Sequence, residues 1–299
     1  MWRDDFAAAK NYAVSLAQSD IVFVLDSDEV VENMDLAALE KLFLNGFEKI
    51  GRVVRRNQIE QNGQINYQRE YIARVFDRTR YQYSGRIHEQ LIPVRGGGEL
   101  MPDLYVSLPI SIWHDGYMGT PEQRKEKAKR NIALLKRELA EEGEDPYVLY
   151  QLGKSYYMQG AYREAAEYFS RGLTFDLNPS LEYVIDMVET YGYTLLNAGR
   201  AGEALMFENI YDVFGNTADF RLLMGLIYMN NEMFEEAVAE FQRAAQCENA
   251  RMQGANSFLA FYNAGVIREC LGDKAQAIRF YKKCGDYALA RERLASLDE

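Results

Sequence analysis

Apolar residues change their spacing partway along this chain. Over residues 1–119 they come in short runs and alternations. Ile21–Leu25 is a five-residue apolar run that reads as a buried strand, and Arg52–Arg56, Gln64–Phe76 and Leu104–Trp113 read as further extended segments, with Asn62-Gly63 as a hairpin turn. Two helices precede most of these strands. The first takes Asp4 or Asp5 as N-cap and is expected to bury Phe6, Ala9, Ala13 and Leu16; the second starts at Asp35 and is expected to bury Leu36, Leu39, Leu42 and Phe43. Helix, strand, helix and then strands predict a mixed α/β layer.

After Gly119 the pattern becomes helical. Thr120-Pro121 places an N-cap before a proline at the first helical position, and the following helix runs to about Glu142 with Ala128, Ile132, Leu135 and Leu139 inward. A longer period then appears. Leu152-Gly153, Tyr156, Gly160, Ala165 and Phe169 occupy fixed offsets that recur at Gly192, Leu195, Gly199 and Ala204, at Gly225, Tyr228, Ala237 and Phe241, and at Gly265, Gly272, Ala277 and Tyr281. The successive steps from Gly153 to Gly192, Gly225 and Gly265 are 39, 33 and 40 residues, which bracket a 34-residue period. Small residues at two of the offsets let paired helices cross closely, and aromatics fill the gaps. The segment 120–299 resembles a linker helix followed by about four tetratricopeptide repeats, with Tyr287–Leu297 as the capping helix. That resemblance implies an all-α solenoid whose groove binds a protein partner, and whose repeats can also pack against a second copy as a homodimer.

Composition narrows the function classes. A net charge of −11 argues against nucleic acid or an anionic membrane as a generic partner. The apolar runs are far shorter than the roughly 20 residues that span a bilayer, so no transmembrane segment is expected. Met1-Trp2-Arg3-Asp4-Asp5 is polar where a signal peptide would turn apolar. Cys247, Cys270 and Cys284 form an odd set without paired spacing and read as reduced, mostly buried thiols, hence a cytoplasmic protein. Between residues 52 and 95 every basic residue is an arginine, the preferred planar partner of phosphate oxygens.

The sharpest chemical signal is Leu25-Asp26-Ser27-Asp28-Glu29 at the end of the first strand. In an extended chain Asp26 and Asp28 point the same way and can reach one divalent cation. Four further segments accompany it: Trp2-Arg3-Asp4-Asp5-Phe6-Ala7-Ala8-Ala9-Lys10-Asn11, Arg74-Val75-Phe76, Gly85-Arg86-Ile87-His88-Glu89 and His114-Asp115-Gly116-Tyr117. In this order they resemble the second half of family-2, GT-A-fold glycosyltransferases, some bacterial members of which continue into tetratricopeptide repeats. The resemblance implies a partial GT-A-like mixed sheet over 1–119 that lacks the N-terminal nucleotide-binding portion. It implies transfer of a sugar from a nucleotide-sugar donor, with inversion, to a protein or glycan acceptor. Asp26 and Asp28 would hold Mn²⁺ or Mg²⁺ with His114 as third ligand, and Glu89 would be the general base, with Asp115 and Glu29 as competitors for that role. Lys10, Asn11, Arg74, Arg86 and His88 would line the donor and acceptor sites. A haloacid-dehalogenase-type phosphatase also places Asp-x-Asp after a strand, but here Glu29-Val30 stands where that family has x-Thr. The non-enzymatic alternative is a repeat scaffold carrying a vestigial transferase remnant.

Overall fold

The computed structural model describes residues 5–44, 46–61, 64–95, 100, 102–114 and 121–297. It divides into two compact units, residues 1–155 and 156–299. The change of sequence pattern falls at 119/120, but compactness keeps the first long helix and most of the next with the sheet.

In the first unit, α1 (Phe6–Ser15) precedes β1 (Ile21–Phe23), β2 (Glu29–Met34), α2 (Leu36–Phe43), β3 (Ile50–Gln61), β4 (Gln64–Asp77), β5 (Tyr81–Ser84), β6 (Gln90–Pro93) and β7 (Tyr105–His114). Five strands form one sheet in the order β1-β4-β3-β7-β2; β3 and β7 run parallel and the other neighbours antiparallel. The β3–β4 hairpin pairs as far as Gln61 opposite Gln64; the expected turn residues Asn62-Gly63 lie outside the described residues. β5 and β6 form a separate antiparallel pair. Alternation along the strands serves two cores. Phe76, Ile50 and Val22 pack with Ala7, Tyr81, Tyr83 and Leu91, while Val75, Val53 and Ile112 pack with Leu39, Phe47 and Leu108.

The helix starts follow local chemistry. The Asp5 side chain accepts from the Ala8 amide at 2.7 Å and that of Asp35 from the Ala38 amide at 3.0 Å, each satisfying a free helix N–H. The expected buried faces need correction. α1 is rotated relative to the expectation: Ala7 is buried, whereas Ala9, Ala13 and Leu16 are exposed. The reason is Asn11, whose amide exchanges two 2.8 Å hydrogen bonds with the backbone of Tyr83 and fixes which side of α1 meets β5. In α2 only Leu39 is buried, and Leu36 and Leu42 are exposed.

Helices follow from α3 (Pro121–Glu142), where Ile132, Leu134, Leu135 and Glu138 are buried. Then come α4 (Pro146–Met158), α5 (Tyr162–Gly172), α6 (Glu182–Asn197), α7 (Ala201–Ala204), a 3₁₀ segment (Leu205–Ile210) and α8 (Tyr211–Phe214). They are followed by α9 (Ala218–Asn230), α10 (Phe234–Ala244), α11 (Phe258–Cys270), α12 (Lys274–Lys282) and α13 (Ala288–Leu297). The small residues of the repeat act as expected. A Cβ on Gly192, Gly225 or Gly265 would meet Leu223, Phe241 or Tyr281 at 2.6, 2.4 and 2.6 Å, and Ala165, Ala204, Ala237 and Ala277 are fully buried.

The second repeat departs from the pattern. Glu208 stands where Phe169, Phe241 and Tyr281 stand in the others, and the helix rewinds into 3₁₀ geometry that buries the preceding Phe207 instead. Phe207 then packs between Tyr191 and Phe220, with ring centroids 5.9 and 6.5 Å away. All three cysteines are free, but only Cys284 is buried and Cys270 is exposed, so the expectation of mostly buried thiols fails for that position. Among the described residues no helix is long and apolar enough to cross a membrane.

Candidate functional site

The segment between β1 and β2 connects opposite edges of the sheet, so it crosses the strands that lie between them. It does so through a tight turn rather than in extended form. β1 stops at Phe23, the Glu29 amide donates to the Asp26 carbonyl at 3.0 Å, and the Asp26 amide donates to Glu29 Oε2 at 3.0 Å. The turn corrects the picture of Asp26 and Asp28 side by side along a strand. Asp26 faces cations: its carboxylate oxygens lie 2.9 Å from Lys10 Nζ and 2.6 Å from Arg74 Nη2. Asp28 faces His114, with Oδ2 3.4 Å from Nε2.

Four of the expected site residues come together from four segments: Lys10 on α1, Asp26 in the turn, Arg74 on β4 and Glu89 before β6. Lys10 bridges the carboxylates of Asp26 and Glu89. Arg74, itself buried, bridges Asp26 and Glu29, the latter at 2.5 Å. The network extends through Arg55, which pairs with Glu70 at 2.6 Å and approaches Glu29 at 3.5 Å. Burial alone would raise the pKa of Asp26, but Arg74 and Lys10 outweigh it and hold the carboxyl below its usual range. Burial likewise opposes the charge of Arg74, yet Glu29 and Asp26 hold the guanidinium more firmly protonated.

The other expected residues have different surroundings. Asn11 is held by the Tyr83 backbone. The Arg86 guanidinium pairs with Glu141 of α3, and its amide donates to Glu138 at 3.2 Å. His88 takes a left-handed backbone conformation (φ 55°), and its Nε2 is buried without a hydrogen-bond partner among the described residues. Burial first, and then the charges of Lys154 and Lys127, push its pKa down to about 4, so the imidazole is neutral. Asp115 lies outside the described residues.

Two members of the cluster were not assigned to it from sequence. Glu29 was weighed only as a base, yet its side chain is fully buried while the next residue, Val30, is 64% exposed, an inversion of the usual strand polarity. Tyr83 was missed entirely. Its ring lies 5.3 Å from Lys10 Nζ, and burial, followed by the charges of Glu89 and Asp26, raises its hydroxyl pKa against the pull of Arg74. Its one sequence signal is the alternation Tyr81-Gln82-Tyr83, which turns both tyrosines inward. The arginine-rich stretch is largely occupied: Arg56 pairs with Glu32, Arg78 with Asp20, Arg80 with Glu48, and Arg52 lies against the rings of Tyr71 and Tyr105. No group of three or more His, Cys, Asp or Glu side chains is placed to hold a metal ion among the described residues.

Comparison with known proteins separates the two parts. Family models of the tetratricopeptide repeat match residues 146–178 and 218–247, so the helical part carries such repeats. A glycosyltransferase named SunS, SPbeta prophage-derived, from Bacillus subtilis (strain 168), is 24% identical over 173 residues, covering 58% of this chain and 40% of that protein. A TPR repeat-containing protein of Synechococcus elongatus is 29% identical over 188 residues, covering 58% and 43%. The chain thus spans about two fifths of the length of these curated relatives. Among solved structures, YrrB, described as a TPR protein with an unusual peptide-binding site, aligns with a TM-score of 0.46 at 22% identity, covering 56% of this chain and 84% of that one. MamA from Desulfovibrio magneticus RS-1 aligns at 0.45 and 21% identity, covering 61% and 99%.

Proposed function

We propose that the charged cluster of the first unit belongs to a sugar-transfer site for a nucleotide-diphosphate sugar, and that the repeats bind the protein or glycan acceptor or a partner that carries it. The observation that carries this reading is the convergence of Lys10, Asp26, Arg74 and Glu89, two cations and two carboxylates drawn from four separate segments. The partial similarity to a protein named as a glycosyltransferase supports it.

In this reading Glu89 takes the proton of the acceptor nucleophile as it attacks the anomeric carbon. The bond from that carbon to the diphosphate oxygen breaks on the opposite side, which inverts the configuration. Lys10 and Arg74 meet the charge left on the diphosphate. The donor chemistry of Asp28 and His114, a carboxylate oxygen and an imidazole nitrogen 3.4 Å apart, would suit Mn²⁺ better than Mg²⁺, which prefers all-oxygen ligands. Bound there, the ion would supply further neutralisation of the diphosphate. Asp26 can join those ligands only by giving up Lys10 or Arg74. The assignment is thus narrower than the three-ligand set expected from sequence.

A repeat scaffold without catalysis is the second reading, and the same cluster favours it in one respect: both oxygens of Asp26 already have cationic partners, as in a purely structural network. Calorimetric titration of a panel of nucleoside-diphosphate sugars with Mn²⁺, on the chain and on its Asp28→Ala variant, separates the two. Metal-dependent binding lost in the variant is the expected outcome. Absence of binding by the folded chain, or equal binding by the variant, would leave the scaffold.

A further inference from the structure

The connection between α10 and α11 is the longest departure from the repeat period, 40 residues separating Gly225 from Gly265. Its base is clamped: Asn256 Nδ2 donates to the carbonyls of Cys247 and Glu248 at 3.0 and 3.3 Å, and Ala255 is fully buried. Its tip is different. Arg251 and Met252 are each less than half exposed, and their polar groups turn inward. The amides of Arg251 and Met252 donate to the two oxygens of Asp219 at 2.9 and 2.7 Å, and the Arg251 guanidinium donates to Glu189. Asp219 lies at the start of α9 and Glu189 on α6, both buried, so one loop tip engages carboxylates from consecutive repeats.

One group at this site is left over. Tyr193 lies one helical turn beyond Glu189 on α6, its hydroxyl is buried without a hydrogen-bond partner among the described residues, and, after burial, the charges of Glu189 and then Asp219 raise its pKa. A buried hydroxyl ordinarily finds a partner. The site therefore offers two carboxylates and a hydroxyl, of which the loop satisfies only the carboxylates. What the loop supplies, a guanidinium and two consecutive backbone N–H groups turned to one side by a bend, is the donor set carried by a bent segment containing arginine.

We propose that Glu189, Asp219 and Tyr193 form a recognition site for an arginine-bearing peptide segment of a partner protein, and that the Arg251 loop tip occupies it in cis. Withdrawing the tip into water would strip Glu189 and Asp219 of their donors, so the tip gives way most readily to another segment that replaces them. An incoming segment gains the Tyr193 hydroxyl that the loop leaves unmet. The clamped base lets the tip exchange without unfolding the repeat. The proposal goes beyond sugar transfer and holds whether or not the first unit binds a donor.

The test uses a fluorescein-labelled peptide with the sequence of residues 248–256, Glu-Asn-Ala-Arg-Met-Gln-Gly-Ala-Asn, and the full chain carrying Arg251→Ala and Met252→Pro. By fluorescence polarisation the opened variant should bind the peptide at least about tenfold more tightly than the unaltered chain. The same peptide with alanine for arginine should not bind, and adding Glu189→Gln and Asp219→Asn should abolish binding. If the proline variant loses its helical circular dichroism, Arg251→Gln alone replaces it. A folded opened variant that fails to bind, or that binds the alanine peptide equally well, would overturn the proposal. No sugar donor enters the assay, so its failure leaves the sugar-transfer reading untouched.

Discussion

The two units bury their functional groups in opposite ways. The sheet unit places a network of charges at its candidate site, with Arg74 and Glu29 inside it and Lys10, Asp26, Arg55 and Glu89 around them. The repeat unit is assembled mainly from glycine–aromatic and alanine contacts, such as Gly225 against Phe241 and Gly265 against Tyr281, with Glu189 and Asp219 held by the Arg251 loop and Glu240 by Arg221 and Arg243. A charge network depends on each partner, because deleting one strands the others in a poorly solvating interior. A repeat contact is local and its loss is shared among neighbours. The candidate site of the sheet unit therefore hangs on single side chains, whereas in the repeats only the sites of Glu189, Asp219 and Glu240 do.

The largest expected effect follows directly. Arg74→Ala removes the close cation of the fully buried Glu29, leaving Asp26 only Lys10, and should destabilise the sheet unit by about 3–5 kcal/mol, whereas Gly225→Ala, which crowds the Phe241 ring, should cost the repeats about 1–3 kcal/mol. Both tryptophans, Trp2 and Trp113, fall in the first unit, so in urea unfolding tryptophan fluorescence follows that unit while circular dichroism follows both. A single shared transition in both variants would erase the contrast.

Acidity should move the units in opposite directions. His88, facing Lys154 and Lys127, has its folded pKa depressed from 6.5 to about 4, so the sheet unit loses stability as pH falls from about 6.5 through 4. The depressed pKa of Asp26 acts in the same sense in more acidic solution. Glu189 is pushed up to about 7 by burial despite Arg251, with Asp219 and Asp186 adding to the rise, so its contribution to the stability of the repeats is complete below about 4.5 and is lost as pH rises through 7. Each effect is on the order of 2 kcal/mol and should vanish in His88→Gln and Glu189→Gln. Thermal melts at pH 5 and 7.5, read by the same two probes, check the signs.

The smallest effect concerns one backbone position. Gly160, Gly199 and Gly272 end the first helices of three repeats at φ of 73°, 71° and 81°, and the equivalent place in the third repeat is Glu232, at 61°. Glu232→Gly should relieve left-handed strain and raise the stability of the repeats by up to about 1 kcal/mol, seen as a higher urea midpoint by circular dichroism.

How legible each region was follows from the same contrast. The repeats could be read because glycine, alanine and aromatic offsets are set by contacts within one hairpin, and the places where the pattern breaks, Glu208 and the long step after Gly225, are where the structure rewinds or loops out. The sheet was legible only strand by strand. Nothing in Ile21–Phe23 or Glu29–Met34 shows that they lie at opposite edges, and so nothing shows that Asp26-Ser27-Asp28 must turn and send its two carboxylates to different partners. Lys10, Asp26, Arg74 and Glu89 were recoverable as chemistry-bearing residues. Glu29, hidden in a strand that shows Val30 to solvent, and Tyr83, one more aromatic in an alternating pair, became members of the cluster only through pairing between distant segments.

The central claim, that donor chemistry resides in the charged cluster of the sheet unit, is tested most directly by hydrogen–deuterium exchange of the full chain with and without Mn²⁺ and a nucleoside-diphosphate sugar. The account predicts slowed exchange in peptides covering residues 22–30, 70–76 and 85–91, with the repeats beyond residue 180 unchanged. Protection confined to the repeats, or none at donor concentrations that saturate the calorimetric titration, would contradict it.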